Sequence, residues 1–510
     1  MAGRRIRLTA EAREALKRVA ALRAEPVWLV GGAIRDAALG RPSADLDLAG
    51  RDARGLAALI ARAFKGTLVT LDAENAVYRL VLPPVRGRAL KQIDVAEIIG
   101  RDIGEDLKRR DFTANAVALP LPARLPPAVP EKSFLDPRGG LSDIARGVLR
   151  CEDEGPFKDD PLRLLRAFRI AAQTGLTLDA ATTALIKKNR RLVRKPAGER
   201  VQAELLALCA VPGASQSLRL MDECGLLTAL FEDLEPARRC AEDYYGTGGV
   251  LKHTLEVCAR LDFLLTRFAK IYPDLARSFD EYLSARASGG VPQRAVLMLA
   301  ALLHDIAKPE TARSVDGRLR FFEHDTLGAV RAAKLLRDLR FSREHVETIA
   351  AIVRHHLRPG HLAASGGPVT EKAAYRFFRD LGDDAPGLLA VCWADHASYM
   401  PEPRLRRMLG PACGDPPRAD LSRIRPEDAL KTVRHLQLVS LLLRRYFDQD
   451  RAPVPVRLLD GVEVMKTLKI PPGPRVGEIL ERLREAQAEG LVRDRAQALA
   501  FVGRLKGKES

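Results

Sequence analysis

Asp45, Leu46, Asp47 and Leu48 alternate acid with leucine. In an extended strand alternate side chains share a face, so the two carboxylates point one way while the leucines enter a core. Two carboxylates so placed can hold Mg²⁺ ions ~3.5 to 4 Å apart, as in-line phosphoryl transfer requires. A third acid, Asp94 in Gln92-Ile93-Asp94-Val95-Ala96, lies on a later β-favouring run that can pair beside the first. It can share a metal or accept the proton of an attacking hydroxyl. Upstream, Leu29-Val30-Gly31-Gly32-Ala33-Ile34-Arg35-Asp36 reads as a strand, a glycine turn and a helix start. Gly31 and Gly32 leave amides free to meet phosphate oxygens, with Arg35 one turn into the helix.

A second group of chemical residues lies downstream. His304-Asp305 ends the apolar run AVLMLAALLHDIAKP, with His253 in LKHTLEV before it. His324 in FFEHDTLGA, His355-His356 after ETIAAIVR, and Asp395 in VCWADHA come after it. A lone histidine on an apolar helix is usually a core residue. An adjacent His-Asp behind a hydrophobic helix, flanked by further histidines, points instead to a metal centre. His355 and His356 compete for one position.

These residues need elements to hold them. Strand patterns cover Val27 to Val30, Leu46 to Ala49, Gly66 to Leu71, Val77 to Leu82 and Gln92 to Ile98, with a helix at Leu56 to Ala63. The first ~120 residues are therefore mixed α/β, and most of the rest is helical. The Pro-rich LPLPARLPPAVPEK predicts a surface excursion. The domain expectation is a leading amphipathic helix at 1–23, an α/β head at 24–148, a helical neck at 149–245, a histidine-bearing helical domain at 246–400, a linker at 401–425 and a carboxy-terminal helical segment at 426–510.

Lys and Arg outnumber Asp and Glu by 83 to 66, giving a formal net charge of +17, which suits a polyanionic partner. Seven scattered cysteines with no CxxC pair read as reduced, buried residues. No stretch approaches the ~18 to 20 apolar residues of a membrane span. A soluble cytoplasmic protein is expected.

The blocks GGAIRD, ADLDLA, IDVAE, LKRRDFTANAVAL and DDPLRLLRAFR, in this order over Val27 to Leu208, resemble the class II family of tRNA CCA-adding enzymes and bacterial poly(A) polymerases. The resemblance implies a nucleotidyltransferase head of the polymerase-β type and a helical neck that selects the incoming nucleotide. It implies Mg²⁺ on Asp45 and Asp47, with Asp94 as the third strand acid. It further implies that Arg110 contacts the nucleotide or its phosphates and, with Arg35, neutralises the triphosphate, while Asp111 and Asn115 order the site. Asp160, Arg163, Arg166 and Arg169 recur every third residue on an expected helix, giving one polar stripe. In the family reading Asp160 and Arg163 meet the base edge, while Arg166 and Arg169 hold phosphate or shape the pocket. Gly198-Glu199-Arg200-Val201 with Glu204 resembles a last, structural neck motif. Implied partners are tRNA or another RNA 3′ end, CTP and ATP. Poly(A) polymerases of this family usually carry a GRRFRLxHV-like segment between the acid blocks; AENAVYRLVLPPV stands here and favours the tRNA enzyme.

The histidine region resembles the HD superfamily of metal-dependent phosphohydrolases in an HDIG-like form, with Ala307 where glycine is usual. The resemblance implies a divalent-metal site of His253, His304, Asp305, His324, His356 and Asp395, and phosphoester hydrolysis. The carboxy-terminal segment is similar to that of HD-bearing members of the same family.

Overall fold

Leu46 and Leu48 on one segment and Ile93 and Val95 on another are each at most 1% exposed, and their burial brings the two acid-bearing segments together. Each such side chain contributes roughly 1.5–3 kcal/mol on leaving water. A computed structural model describes every residue of the chain except 1–3, 23–24, 86, 88, 123, 287–289, 365–368, 415–426, 449–453 and 506–510. The strands of its first part are β1 (Arg5–Arg7), β2 (Val27–Val30), β3 (Asp45–Gly50), β4 (Thr67–Asp72), β5 (Val77–Val81), β6 (Gln92–Glu97), β7 (Ala118–Pro120), β8 (Ala128–Pro130), β9 (Val148–Leu149) and β10 (Thr177–Leu178). Six of them form one sheet in the order β4-β5-β6-β3-β2-β7. β3 and β6 run parallel; the other neighbours are antiparallel.

The helix Ala53–Phe64 buries Ala53, Leu56, Ala57 and Ile60 and packs on β5 and β6. Asp52 caps it, accepting from the Gly55 amide at 3.1 Å. The leading helix is Ala10–Ala20, and β1 precedes it, paired antiparallel with β8. That pairing revises the expected surface excursion: Leu119, Leu125 and Val129 are buried, and Pro120 and Pro130 sit on the edge strand β7 and on β8. Proline lacks an amide proton, so such edges tolerate it.

The chain divides into two compact units, one of residues 1–208 and 220–230 and the other of 209–219 and 231–510. Among its described residues the second unit is helical apart from one hairpin of β11 (Ala312–Val315) and β12 (Arg318–Phe321). Helix Gln293–Leu303 is buried on all sides except at Arg294, as a helix apolar all round must be. It packs against helices Gly249–Ile271 and Ala385–Ser398. At the carboxy-terminal end Val464, Ile479, Leu483, Ala498 and Val502 build a small core of their own. A capping box between Asp460 and Glu463 opens one of its helices.

The expected linker at 401–425 is corrected in its first half. Glu402–Cys413 is a helix, with Leu405, Ala412 and Cys413 buried, and it packs on helix Glu427–Tyr446. Prolines at its start are compatible with helix, and its apolar residues find a partner that only the tertiary fold supplies. The remainder of that segment lies outside the described residues. No helix among the described residues is long and apolar enough to cross a membrane. All seven cysteines are free, and all but Cys240 are buried.

Candidate functional site

In the first unit the parallel register of β3 and β6 sets Asp94 directly opposite Asp47, with Asp45 two residues before Asp47 on the same face. Burial, and then the neighbouring Asp94 carboxylate, push the Asp45 and Asp47 carboxyls above the ordinary aspartate range. A site that crowds three acids and raises the cost of ionising Asp45 and Asp47 is one that suits a divalent cation. Arg79, on β5 opposite Asp94, donates to both of its oxygens at 2.9 and 2.7 Å. Arg79 was not among the expected site residues; its signal was an arginine in the alternation Val77-Tyr78-Arg79-Leu80-Val81, on the acid face of the sheet.

The glycine turn lies against these acids. The Gly32 amide donates to Asp47 Oδ2 at 3.1 Å. Gly31 has φ +71°, and a Cβ there would stand 3.0 Å from Asp47 Oδ2 and 3.3 Å from Arg110 Nη1. Glycine is thus required both by backbone conformation and by space. Arg110 reaches the turn while its Nε and Nη2 donate to Asp106 Oδ2 at 3.2 and 3.1 Å. Asp106, one turn before Arg110, is a second residue that the motif reading passed over.

Arg35, 9% exposed, points into the protein: its Nη1 donates to Asn115 Oδ1 at 2.8 Å and its Nε to Asp36 Oδ1 at 3.0 Å. Asn115 Nδ2 donates in turn to Asp111 Oδ1 at 2.9 Å, and Asp111 Oδ2 accepts from Arg166 at 3.1 and 3.0 Å. This chain ties the glycine turn to helix Arg163–Thr174. Burial pushes the Asp111 carboxyl up, but Arg166, the Asn115 amide and Arg163 together bring it down to about 2.

The expected stripe is only partly helical. Arg163, Arg166 and Arg169 lie on Arg163–Thr174, whereas Asp160 precedes it in extended conformation (φ −137°, ψ 95°). The cause is Pro161, which disfavours helix at the residue before it. Asp160 accepts from Arg200 at 2.8 Å, and Arg169 donates to Glu204 at 2.5 Å. Arg163 donates to the Pro156 and Arg109 carbonyls at 3.2 and 3.4 Å.

The charge on Asp111 has a pH signature. Its folded pKa lies below the ordinary unfolded value of ~3.9, so the ionised form stabilises the fold at neutral pH by roughly 2–3 kcal/mol. That contribution is complete above the unfolded pKa and is lost as pH falls towards 2. The difference in Tm between wild type and Asp111→Asn is therefore expected to be large at pH 7 and to shrink between pH 4 and 2. Thermal scans across that range check it; a pH-independent difference would show that shape, not charge, matters there.

In the second unit the six expected histidine and aspartate ligands converge. They form two triads, His253 with His304 and Asp395, and Asp305 with His324 and His356, with candidate ligand atoms in each within 4.8 Å of one another. Three imidazoles have their tautomer set by backbone. The Nδ1 atoms of His304, His324 and His356 meet the carbonyls of Ala301, Phe321 and Val353 at 2.8, 2.8 and 2.7 Å. Each Nδ1–H donates there, so each Nε2 offers a lone pair to the centre. The Nε2 atoms of His324 and His356 face each other at 3.3 Å. His253 Nε2, His304 Nε2, both Asp305 oxygens and Asp395 Oδ1 are buried with no well-formed hydrogen bond; their contacts are with one another, with His324 and His356 and, at Asp305 Oδ2, with Lys308. Buried polar atoms left this way, all converging, fit a divalent metal.

Between the two adjacent histidines it is His356, 4% exposed, that turns inward. Ala307, in place of the usual glycine, has φ −94° and ψ 1° and is fully buried, so no positive φ demands glycine. Sequence reasoning missed Lys308 and Tyr245. Lys308 Nζ lies 2.6 Å from Asp305 Oδ2 and donates to the Tyr245 hydroxyl at 3.0 Å. The Tyr245 ring stacks on His253 with centroids 4.7 Å apart. The signal was present in His304-Asp305-Ile306-Ala307-Lys308, a cation three residues beyond the aspartate. A cleft of ≈ 340 Å³ beside His253 is lined by Tyr245, Arg260, Ser398 and Tyr399.

Residues 27–150 match the family described as the Poly A polymerase head domain, 175–238 the probable RNA- and SrmB-binding site of polymerase A, and 251–400 the HD domain. Fold and site together define a nucleotidyltransferase head joined to an HD domain. The chain is 32% identical to the A-adding tRNA nucleotidyltransferase of Deinococcus radiodurans, covering 93% of this chain and 94% of the relative. It is also 32% identical to the CC-adding tRNA nucleotidyltransferase of Thermus thermophilus, covering 93% and 92%. It belongs to the class II family of tRNA nucleotidyltransferases, the CCA-adding enzymes. Among solved structures, the Thermotoga maritima CCA-adding enzyme complexed with tRNA shares the fold with TM-score 0.56 and 19% identity over 97% of this chain and 96% of that one. The Bacillus stearothermophilus CCA-adding enzyme in complex with CTP does so with TM-score 0.58 and 20% identity, over 98% and 99%.

Proposed function

We propose that this enzyme adds C, A or both to the 3′ end of tRNA from CTP and ATP, releasing pyrophosphate. The observation that carries the reading is the pairing of Asp47 with Asp94 beside Asp45, against the glycine turn and Arg110. Magnesium ions held on Asp45 and Asp47 would stabilise charge on the α-phosphate and on the attacking 3′ oxygen. Asp94, tied to Arg79, completes the acidic face and would accept the hydroxyl proton. The amides of the glycine turn and Arg110 offer donors and positive charge to the triphosphate; Arg35, held by Asn115 and Asp36, reinforces that turn from inside. On the neck, Asp160 with Arg200 and Arg163 supply acceptor and donor groups for a base edge, while Arg166 and Arg169 keep that helix in place through Asp111 and Glu204.

An A-adding and a CC-adding relative are each 32% identical to this chain. Labelled CTP and ATP offered to tRNAs ending before CCA, after C and after CC separate the partial reactions. Incorporation confined to tRNA and stopping at A supports the reading. Long A tails on any RNA would replace it with poly(A) polymerase, and no incorporation on any substrate would overturn it. Gly31→Ala should lower incorporation more than tenfold, because the new methyl strains the backbone and displaces Asp47 and Arg110. Single-turnover assays check this; near-normal rates would show that the turn adapts.

The second unit is read as an independent metal-dependent phosphohydrolase. Its support is the convergence of orphaned ligand atoms in the two triads. Release of phosphate from phosphoesters in the presence of added divalent metals tests it.

A further inference from the structure

Between Lys308 and His324, both at the HD centre, the chain makes a hairpin of β11 and β12. Its turn is Asp316-Gly317, with φ of 49° and 70°, the two positive values that a tight hairpin turn demands. The register pairs Arg313 with Arg320 and Val315 with Arg318, so Arg313, Arg318 and Arg320 share one face. All three are exposed, and none has an acidic partner among the described residues. Like charges directly opposite each other in a hairpin are destabilising. The opposite face is anchored at its base: the Phe321 ring lies 5.4 Å from Lys308 Nζ, and its carbonyl accepts from His324. Phe322, next in the chain, is 59% exposed.

A hairpin that sets arginine against arginine, leaves them unpaired and is fastened to a metal centre is suited to a polyanion. The exposed aromatic beside it suits a base, since stacking on an aromatic ring adds to phosphate contacts in single-strand binding. We propose that this hairpin is an RNA-binding arm of the HD centre, which therefore acts on a phosphoester carried at the end of an RNA strand in preference to a free nucleotide. This rests on reading the centre as a phosphohydrolase. For a 3′-phosphate end, the oxygen of water bonds to phosphorus as the bond from phosphorus to the 3′ oxygen breaks. That oxygen leaves as a hydroxyl with a proton from the water, and inorganic phosphate is released.

The test uses the full chain with added divalent metal. The substrates are an oligoribonucleotide ending in a 3′-phosphate and the matching 3′-mononucleotide. The variant Arg313→Gln/Arg318→Gln/Arg320→Gln is exposed at every position, so the fold is retained. Expected is an increase of about tenfold or more in KM for the oligomer, with kcat and the mononucleotide unchanged. The slope of log KM against log salt should fall by about 2 for three lost single-strand phosphate contacts. Equal effects on both substrates, or none, overturn the arm, as does a loss seen only in tRNA extension. A 4-thiouridine-bearing oligomer, photo-crosslinked and mapped by mass spectrometry, reads the arm without hydrolysis: crosslinks within 312–322 support it and their absence overturns it. If wild type hydrolyses neither substrate, the phosphohydrolase reading itself fails, and the crosslink map reports separately on the arm.

Discussion

Replacing Asp47 with asparagine is expected to reduce nucleotide incorporation at least about a thousandfold, equivalent to about 4 kcal/mol of lost transition-state stabilisation. Asparagine keeps an oxygen for the Gly32 amide but removes one of the charges that make the face of β3 and β6 a cation site. The fold should survive and gain. Burial and Asp94 raise the Asp47 carboxyl above its unfolded value. A group with a raised folded pKa is worth most in its protonated form, so its ionised form at pH 7 costs stability in the absence of metal. Tm without metal should therefore be equal or higher in the variant, while added Mg²⁺ should raise Tm in the wild type more than in the variant. Incorporation assays and thermal scans with and without Mg²⁺ check both halves. Activity within tenfold of wild type would sink the proposed role of Asp47.

His304→Ala should abolish phosphoester hydrolysis by the HD centre, by about a thousandfold or more, and lower its bound metal. Incorporation at the head should stay within twofold. His304 is preferable to Asp305 as the target. Asp305 faces His253, His304, His324 and Lys308 at 3.5, 3.1, 3.4 and 2.6 Å, so its removal leaves a buried lysine unpaired. Breaking such a pair costs roughly 3–5 kcal/mol and would confuse chemistry with folding. His304 donates its Nδ1 only to the Ala301 carbonyl within its own helix end, and its loss opens one ligand position. Elemental analysis of purified protein and paired assays of hydrolysis and tRNA extension read the result. Loss of both activities in a folded variant would show that the sites are not independent.

The local chemistry was legible in the residues alone. Acid and leucine alternate in Asp45-Leu46-Asp47-Leu48, so strand period and acid face could be read together, and β3 follows that pattern. Likewise an adjacent His-Asp behind a wholly apolar helix, with histidines before and after it, carried both the helix and the metal-site expectation, and the two triads contain those residues. The order of a mixed α/β part followed by helical segments was equally readable, because hydrophobic period is a property of short windows.

What the sequence alone could not decide depends on residues far apart in the chain. Register placed Asp94 opposite Asp47 and Arg79 opposite Asp94, and no window of residues contains a register. Packing chose His356 over His355 and brought Lys308 and Tyr245 to the same aspartate and histidine cluster. It also made a helix of Glu402–Cys413, which buries its apolar residues against helices Glu427–Tyr446 and Gly249–Ile271. Arg166 and Arg169 of the neck, expected to hold phosphate or shape the pocket, are tied to Asp111 and Glu204. Sequence by itself determined which residues could do chemistry and which short elements carry them. Only the tertiary structure decided which side chains meet, because burial, strand register and ion pairing are set by long-range contacts that local periodicity does not encode.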